Sequence, residues 1–252
     1  MSETLIQRSP TEAIKLPNKN CPYCGVLLSQ DSTTDDHVVG KRFVPKNTLS
    51  GQWNIILRAC FDCNNRKSDL EDDISANTMQ PSVSGDFASE DKRLASEALR
   101  KAQGSFSRET GRLVVDSSEQ LEFSGEFPPG VTFTVKMSAP PQANPERLYR
   151  LACFHIQAIF FLITFNSVNQ CGGFIPGIFK PLMAVNRSDW GNVVMRAFTS
   201  QLQSWNPRFA GIAAREFFKA TVRRHPEGKQ VWAWALEMEP ELSRYRVLRK
   251  RR

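Results

Sequence analysis

Hydrophobic and polar positions change period several times along the chain. Residues 131–137, VTFTVKM, alternate with period two and predict a strand. FFKATVRR (217–224) and QVWAWALEM (230–238) alternate in the same way around His225-Pro226-Glu227-Gly228, which predicts a hairpin. In that hairpin Lys219, Thr221 and Arg223 share one face, Phe218, Ala220 and Val222 the other, and Trp232 and Trp234 lie on one face of the second strand. Residues 112–116 and 119–124 predict a short β pair. Helical patterns lie between these strands. One starts with Ser89 as N-cap, carries Glu90 and Asp91 in its first turn and Arg100 and Lys101 near its end, and stops at Gly104. A second opens with Asn144 as N-cap and Pro145 at the first helical position, and runs apolar to about Phe165. A third spans 188–203.

Three zones follow. Residues 1–75 hold four of the six cysteines, 76–105 form a linker and connecting helix, and 106–252 read as an α+β C-terminal domain. The linker starts in the polar, Ser-rich stretch 72–89, DDISANTMQPSVSGDFAS. No internal repeat is visible.

Charge changes this picture at one end. The net charge is +7, and residues 206–252 hold 12 of the 33 Lys/Arg but 5 of the 26 Asp/Glu, so the whole excess lies there. A basic end suggests an anionic partner, with nucleic acid first; a solvated tail explains the charge equally well. The apolar run Leu148 to Phe165 approaches membrane-spanning length. Arg150, His155 and Gln157 interrupt it, so it reads as a buried helix, with a membrane span as the lesser alternative. The first residues carry no signal-peptide pattern, so a cytoplasmic location is expected. Thiols stay reduced there, and paired cysteines then point to metal.

Cys21-Pro-Tyr-Cys24 and Cys60-Phe-Asp-Cys63 are two Cys-x-x-Cys knuckles. Four thiolates suit one closed, tetrahedral, structural Zn²⁺. The 35 residues between the pairs exceed the usual spacing of small fingers, so the metal is expected to clamp the two ends of an inserted unit. Cys153 and Cys171 lack a partner spacing and read as core thiols.

The insert holds Thr33-Thr-Asp-Asp36-His37-Val-Val-Gly40, then Lys41, Arg42 and Lys46, then Asn54. The second knuckle runs into Asn64-Asn65-Arg66-Lys67. In this order of elements the chain resembles the HNH endonucleases, the ββα-metal nucleases, in their branch with a Cys-x-x-Cys clamp. The resemblance covers residues 21–67 and rests on CPYC, DHVV, Asn54 and CFDCNNRKSD. It departs from the family where GKRFVPKNTLSG replaces the usual Gly-Gly turn, and where Asn64 stands for the last His of the family name. Asn47 therefore competes with Asn54 for the middle Asn.

The chemistry suits these residue types. Phosphodiester hydrolysis needs a base for the attacking water and a cation for the charge that develops on phosphate. A neutral imidazole is such a base, and a carboxylate with an amide oxygen suits Mg²⁺ or Mn²⁺. The resemblance implies that Asp36 and Asn64 hold this metal and that His37 is the general base. It also implies that Asn54 pins the Asp-His loop through backbone hydrogen bonds. Asp36 and His37 would point to opposite faces of a regular strand, so the resemblance implies that the strand bends or ends there. Lys67, one helical turn after Asn64, is placed to contact phosphate. Lys41, Arg42, Arg66 and the terminal Arg249, Lys250, Arg251 and Arg252 are candidate DNA contacts.

Other readings run alongside. Asp35, and the acidic run 69–73, fit an exposed, solvated face; His155 fits a hydrogen-bonded core histidine; His225 fits a structural turn. The leading expectation is an endonuclease that cuts double-stranded DNA to a 5′-phosphate and a 3′-hydroxyl, in restriction, mobile-element processing or phage defence. Two alternatives stand beside it: an effector nuclease gated by a ligand or a partner protein at the C-terminal domain, and a zinc-stabilised nucleic-acid-binding module without catalysis; a homodimer is a further candidate partner.

Overall fold

The computed structural model describes residues 6–7, 13–78, 92–108, 110–127, 131–139, 144–175, 200–214, 217–227 and 231–238. The fold is mixed α+β. Strands β1 (Ile6–Gln7), β2 (Ile14–Lys15), β3 (Thr33–His37) and β4 (Ile55–Cys60) precede helix α1 (Phe61–Thr78). Helix α2 (Lys92–Gly104), strands β5 (Glu119–Phe127) and β6 (Val131–Ala139) and helix α3 (Pro145–Thr164) follow. Strands β7 (Asn206–Ala213), β8 (Phe218–Arg224) and β9 (Trp232–Met238) complete the order.

The chain divides into two compact units, and not at the expected zones. The described residues of 1–71 and 145–239 form one unit, and those of 72–144 form the other. Long-range pairing is the reason. β1 runs parallel to β7 at the edge of the sheet β1-β7-β8-β9, with Ile6 opposite Phe209. The indole of Trp53 donates to the Ile212 carbonyl and packs edge-on against Phe209 at 5.8 Å. Gly211 leaves room for that indole, since a Cβ there would meet it at 2.5 Å.

Within the first unit, β3 and β4 are antiparallel and β2 adds parallel to β4, giving the order β2-β4-β3. β4 buries Ile55, Leu57 and Ala59 at alternate positions, as period two requires. β4 passes straight into α1, so the local order is β-β-α. α3 is long and apolar enough to cross a membrane, yet half of that stretch is buried inside the protein. Its Phe154 meets Tyr23, His155 meets Phe43 and Phe218, and Phe160 meets Trp232. Burying such a side chain stabilises by about 1.5–3 kcal/mol, which makes α3 a core helix of this unit.

The expected hairpin is present: β8 and β9 pair antiparallel across residues 225–231. Trp234 lies opposite Val222 and Trp232 opposite Arg224. Both tryptophans therefore share the face of the buried Val222 and Ala220, away from Lys219, Thr221 and Arg223. That is a half-buried sheet rather than a row of stacking platforms.

In the second unit β5 and β6 form a two-stranded hairpin. Residues 114–116 are a 3-10 turn and not a strand, and β5 pairs with β6 instead of with them. Val114 turns into a small cluster with Ala76 and Ala102. The expected linker is helical at its start, because α1 continues to Thr78. Ile74 and Ala76 are buried, and the Asp73 carboxylate accepts from Asn77 and from the Arg108 amide. The N-cap at Ser89, most of the helix expected over 188–203, and Arg249 to Arg252 lie outside the described residues.

Candidate metal centre and its polar network

The first knuckle is a tight hairpin. The Cys21 amide donates to the Val26 carbonyl and the Gly25 amide to the Cys21 carbonyl. Gly25 sits at φ +75°, a conformation that costs glycine least. The second knuckle is the β4–α1 junction: Cys60 ends the strand and Cys63 lies in the first turn of the helix. The four thiol sulfurs lie within 4.8 Å of one another. The Cys24 and Cys60 sulfurs are 3.8 Å apart. A tetrahedral zinc with Zn–S bonds of about 2.3 Å needs edges of about 3.8 Å. The cluster thus has the composition and size to hold a metal such as zinc.

Electrostatics point the same way. A hydrogen bond from Cys63 holds the Cys21 thiol down at about 5, while the Cys63 thiol is pushed up by the same contact and by burial. Burial also raises Cys24. One thiolate suppresses the ionisation of its neighbours, and a cation in their midst removes that conflict. The Arg66 guanidinium donates to the Cys63 sulfur at 3.4 Å, in the place of an outer partner to a thiolate ligand. Asn18 ties the two halves together. Its amide donates to the Asn20 and Arg58 carbonyls and its oxygen accepts from the Arg58 amide.

Asp36 and His37 lie at the end of β3, still in register opposite Leu57 and Ile56. The strand does not bend between them; it ends after His37. The two side chains therefore take opposite faces. Asn54 accounts for the ending. Its side-chain oxygen accepts from the Val39 and Ile55 amides, and its amide donates to the Val39 carbonyl at 2.7 Å. This is the backbone clamp expected of the middle Asn. Asn47 sits instead in an exposed turn at φ +67°.

Asp36 points inward. One carboxylate oxygen accepts from the Tyr23 hydroxyl and the other from the Lys67 ammonium at 3.0 Å. Lys67 corrects an expectation: it is 1% exposed and does not reach the surface to meet phosphate. Its three donors go to Asp36, to the His37 carbonyl at 2.9 Å and to Glu71 at 2.8 Å. An ammonium has three donors, so all are used. Burial pushes Lys67 down, but Glu71 and Asp36 outweigh it and raise it above its ordinary value. Glu71 also accepts from the Gly40 amide at 3.1 Å, and burial raises its carboxyl. The acidic run is thus not one exposed face. Glu71 and Asp73 are buried, and Asp69 pairs with Arg147 at 3.7 Å. Asp35 is exposed and pairs with Lys15, as a solvated neighbour would.

His37 is half-buried. Burial and then the charge of Lys41 lower its pKa, which keeps the imidazole neutral near pH 7. Asn64 lies in the first turn of α1, on the helical face shared with Lys67 and Glu71 by its i+3 and i+7 spacing. Lys41, Arg42 and Arg66 are exposed. His155 is fully buried with neither ring nitrogen hydrogen-bonded; its Nε2 is 3.8 Å from Glu71. His225 sits in its turn against Trp205.

Within the network, Tyr23 and Gly40 carried no expectation, and Glu71 only that of an exposed acidic face. The only local signal was the Lys67/Glu71 pair at i, i+4. Tyr23 and Gly40 join it through contacts distant in sequence. No protein-family model, no curated protein and no solved structure matches the chain.

Proposed function

We propose that this protein is a metal-dependent endonuclease whose site is the β3 end and the first turn of α1, with one structural Zn²⁺ on the four cysteines. The observation that carries the reading is the neutral, half-buried His37, held through its own carbonyl by Lys67 and followed at once by the Asn54 clamp. Fixing the backbone on both sides of His37 limits the positions its imidazole can take when it meets water.

Asp36 and Asn64 would hold the catalytic cation. A carboxylate and an amide oxygen are hard donors that suit Mg²⁺ or Mn²⁺, which keep water and phosphate oxygens as their other ligands. The Asp36 carboxylate has about four acceptor positions, of which Tyr23 and Lys67 take two. When bound, the cation would stabilise charge on the phosphate and on the leaving oxygen. His37 would take the proton from water as its oxygen attacks phosphorus and the bond to the 3′-oxygen breaks. Lys41, exposed and near enough for its charge to act on His37, would meet the incoming backbone. DNA is the substrate class we favour.

One observation favours a second reading. Asp36 and Lys67 are buried and bonded to each other, which also suits a purely structural ion pair inside a zinc-stabilised nucleic-acid-binding module. Supercoiled plasmid with Mg²⁺ or Mn²⁺ separates the two. Wild-type protein should nick or linearise it, and a His37→Ala protein with full zinc content should be slower by about 10²–10⁴-fold. Equal cutting by both proteins excludes His37 as the base. Plasmid binding without cutting by zinc-replete wild type selects the second reading.

A further inference from the structure

We infer that Tyr23 and Glu71 are positioning residues: Tyr23 orients the Asp36 carboxylate for a divalent cation, and Glu71 offsets the Lys67 charge beside it; this rests on the site proposed above. Asp36 has two buried partners, and they differ in charge. Lys67 brings a full positive charge to 3.0 Å from one oxygen. Alone, that ammonium would cancel the carboxylate and repel a second cation. Glu71 removes the conflict: it holds the same ammonium at 2.8 Å. The three groups together then carry one net negative charge. Lys67 keeps its mechanical role, since it also grips the His37 carbonyl.

Glu71 reaches this place because Gly40 lacks a side chain. A Cβ at residue 40 would lie 2.1 Å from one Glu71 oxygen, and the Gly40 amide donates to the other. Tyr23 sets the remaining Asp36 oxygen. It is carried between Cys21 and Cys24, and its ring packs edge-on against Phe154 at 4.9 Å. The thiol cluster thereby fixes the hydroxyl that fixes Asp36. A neutral donor suits this task because it orients the carboxylate without adding charge.

The test measures Mn²⁺ binding by electron paramagnetic resonance on the zinc-replete full chain, with Asp36→Ala subtracting binding elsewhere. Plasmid cleavage is followed beside it as kcat and KM. Tyr23→Phe keeps the ring and its packing, and should weaken Mn²⁺ binding about tenfold with KM for DNA unchanged. Glu71→Gln leaves Lys67 uncompensated and should weaken it further, towards about 100-fold. Glu71→Asp, which restores the charge, should recover part of that loss. Wild-type affinity in both Tyr23→Phe and Glu71→Gln overturns the inference, even where thermal stability falls. So does a wild type whose Mn²⁺ binding equals that of Asp36→Ala. If Glu71→Gln does not fold, Tyr23→Phe decides alone. A wild type that binds Mn²⁺ through Asp36 but cuts nothing overturns the nuclease reading and leaves this one standing.

Discussion

Two regions of the same compact unit are held together by different forces. The sheet β7-β8-β9 and α3 carry a largely apolar core, with Phe209, Phe218, Ala220, Val222, Ile159 and Phe161 all buried. The β3–β4–α1 region also buries apolar side chains, Ile55, Leu57 and Ala59 among them, but adds buried Asp36, Asn54, Lys67 and Glu71 and closes on four thiols. A three-stranded sheet with one helix is a small core, and thiols and ion pairs add to what its apolar side chains supply. Apolar burial depends little on direction, whereas ion pairs and ligands demand one geometry. The region that stabilises itself by direction is the one that can hold His37 and Asp36 to a fixed arrangement.

The largest effect should come from the metal. Structural zinc contributes about 10–16 kcal/mol in small fingers. Chelation by a strong zinc ligand, or Cys63→Ser, should therefore unfold the β3–β4–α1 region. Hydrogen exchange should show loss of protection in β3 and β4 while β8 keeps more of its own. Equal protection of β3 before and after complete zinc removal would show that the cluster is not a staple.

The next prediction sets one buried group from each region side by side. Lys67→Met leaves two buried carboxylates without their cation and should cost about 3–5 kcal/mol. Phe218→Ala opens a cavity in the apolar core and should cost a similar 3–5 kcal/mol or so. Acid separates them. In the Lys67→Met protein the Glu71 carboxyl, which burial already raises, loses the cation that lowers it, so its folded pKa lies further above its unfolded value of about 4. Such groups favour folding below the unfolded pKa, and that contribution is lost as pH rises through the folded pKa. The Lys67→Met penalty should therefore shrink as pH falls towards 4 or so, while the Phe218→Ala penalty stays flat. Urea denaturation at several pH values reads both. A Lys67→Met penalty independent of pH would mean that methionine is simply a poor fit.

The same division governs what could be read from sequence. Knuckle spacing, the β8–β9 hairpin, and Asn144 and Pro145 opening α3 are local patterns, and the structure has each of them. The resemblance implied a backbone clamp at Asn54, with Asn47 as its rival, and it is Asn54 that bonds the Val39 backbone. The pairing of β1 with β7 and the joining of 1–71 to 145–239 are long-range, and no periodicity encodes them. Composition misled at 69–73. A run of acids resembles a solvated face, yet Glu71 is drawn inward by Lys67 and by the space at Gly40. Lys67 misled for the same reason: helical spacing gives its side, while the partners that bury it come from β3. Tyr23 was hidden inside a motif whose cysteines absorb attention.

His155 gives the smallest effect and the sharpest contrast with Lys67. Both are fully buried basic groups near Glu71, but Lys67 satisfies every donor and His155 hydrogen-bonds through neither nitrogen. Burial and then the charge of Lys67 hold its pKa well below the usual value. A depressed folded pKa contributes stability above the unfolded pKa of about 6.5, lost as pH falls through the window beneath it. His155→Leu removes that liability and fills similar space. At pH 8 the variant should lie within about 1 kcal/mol of wild type. Between pH 6.5 and 5 or so, its stability should fall less steeply, by up to about 1.4 kcal/mol per pH unit. The slope from His37 is common to both proteins and drops out of the difference. A variant that loses much more at pH 8, with the acid slope unchanged, would mean that His155 is a working member of the Glu71–Lys67–Asp36 chain. The 3.8 Å gap to Glu71 then closes in solution, and the polar network extends from β3 into α3.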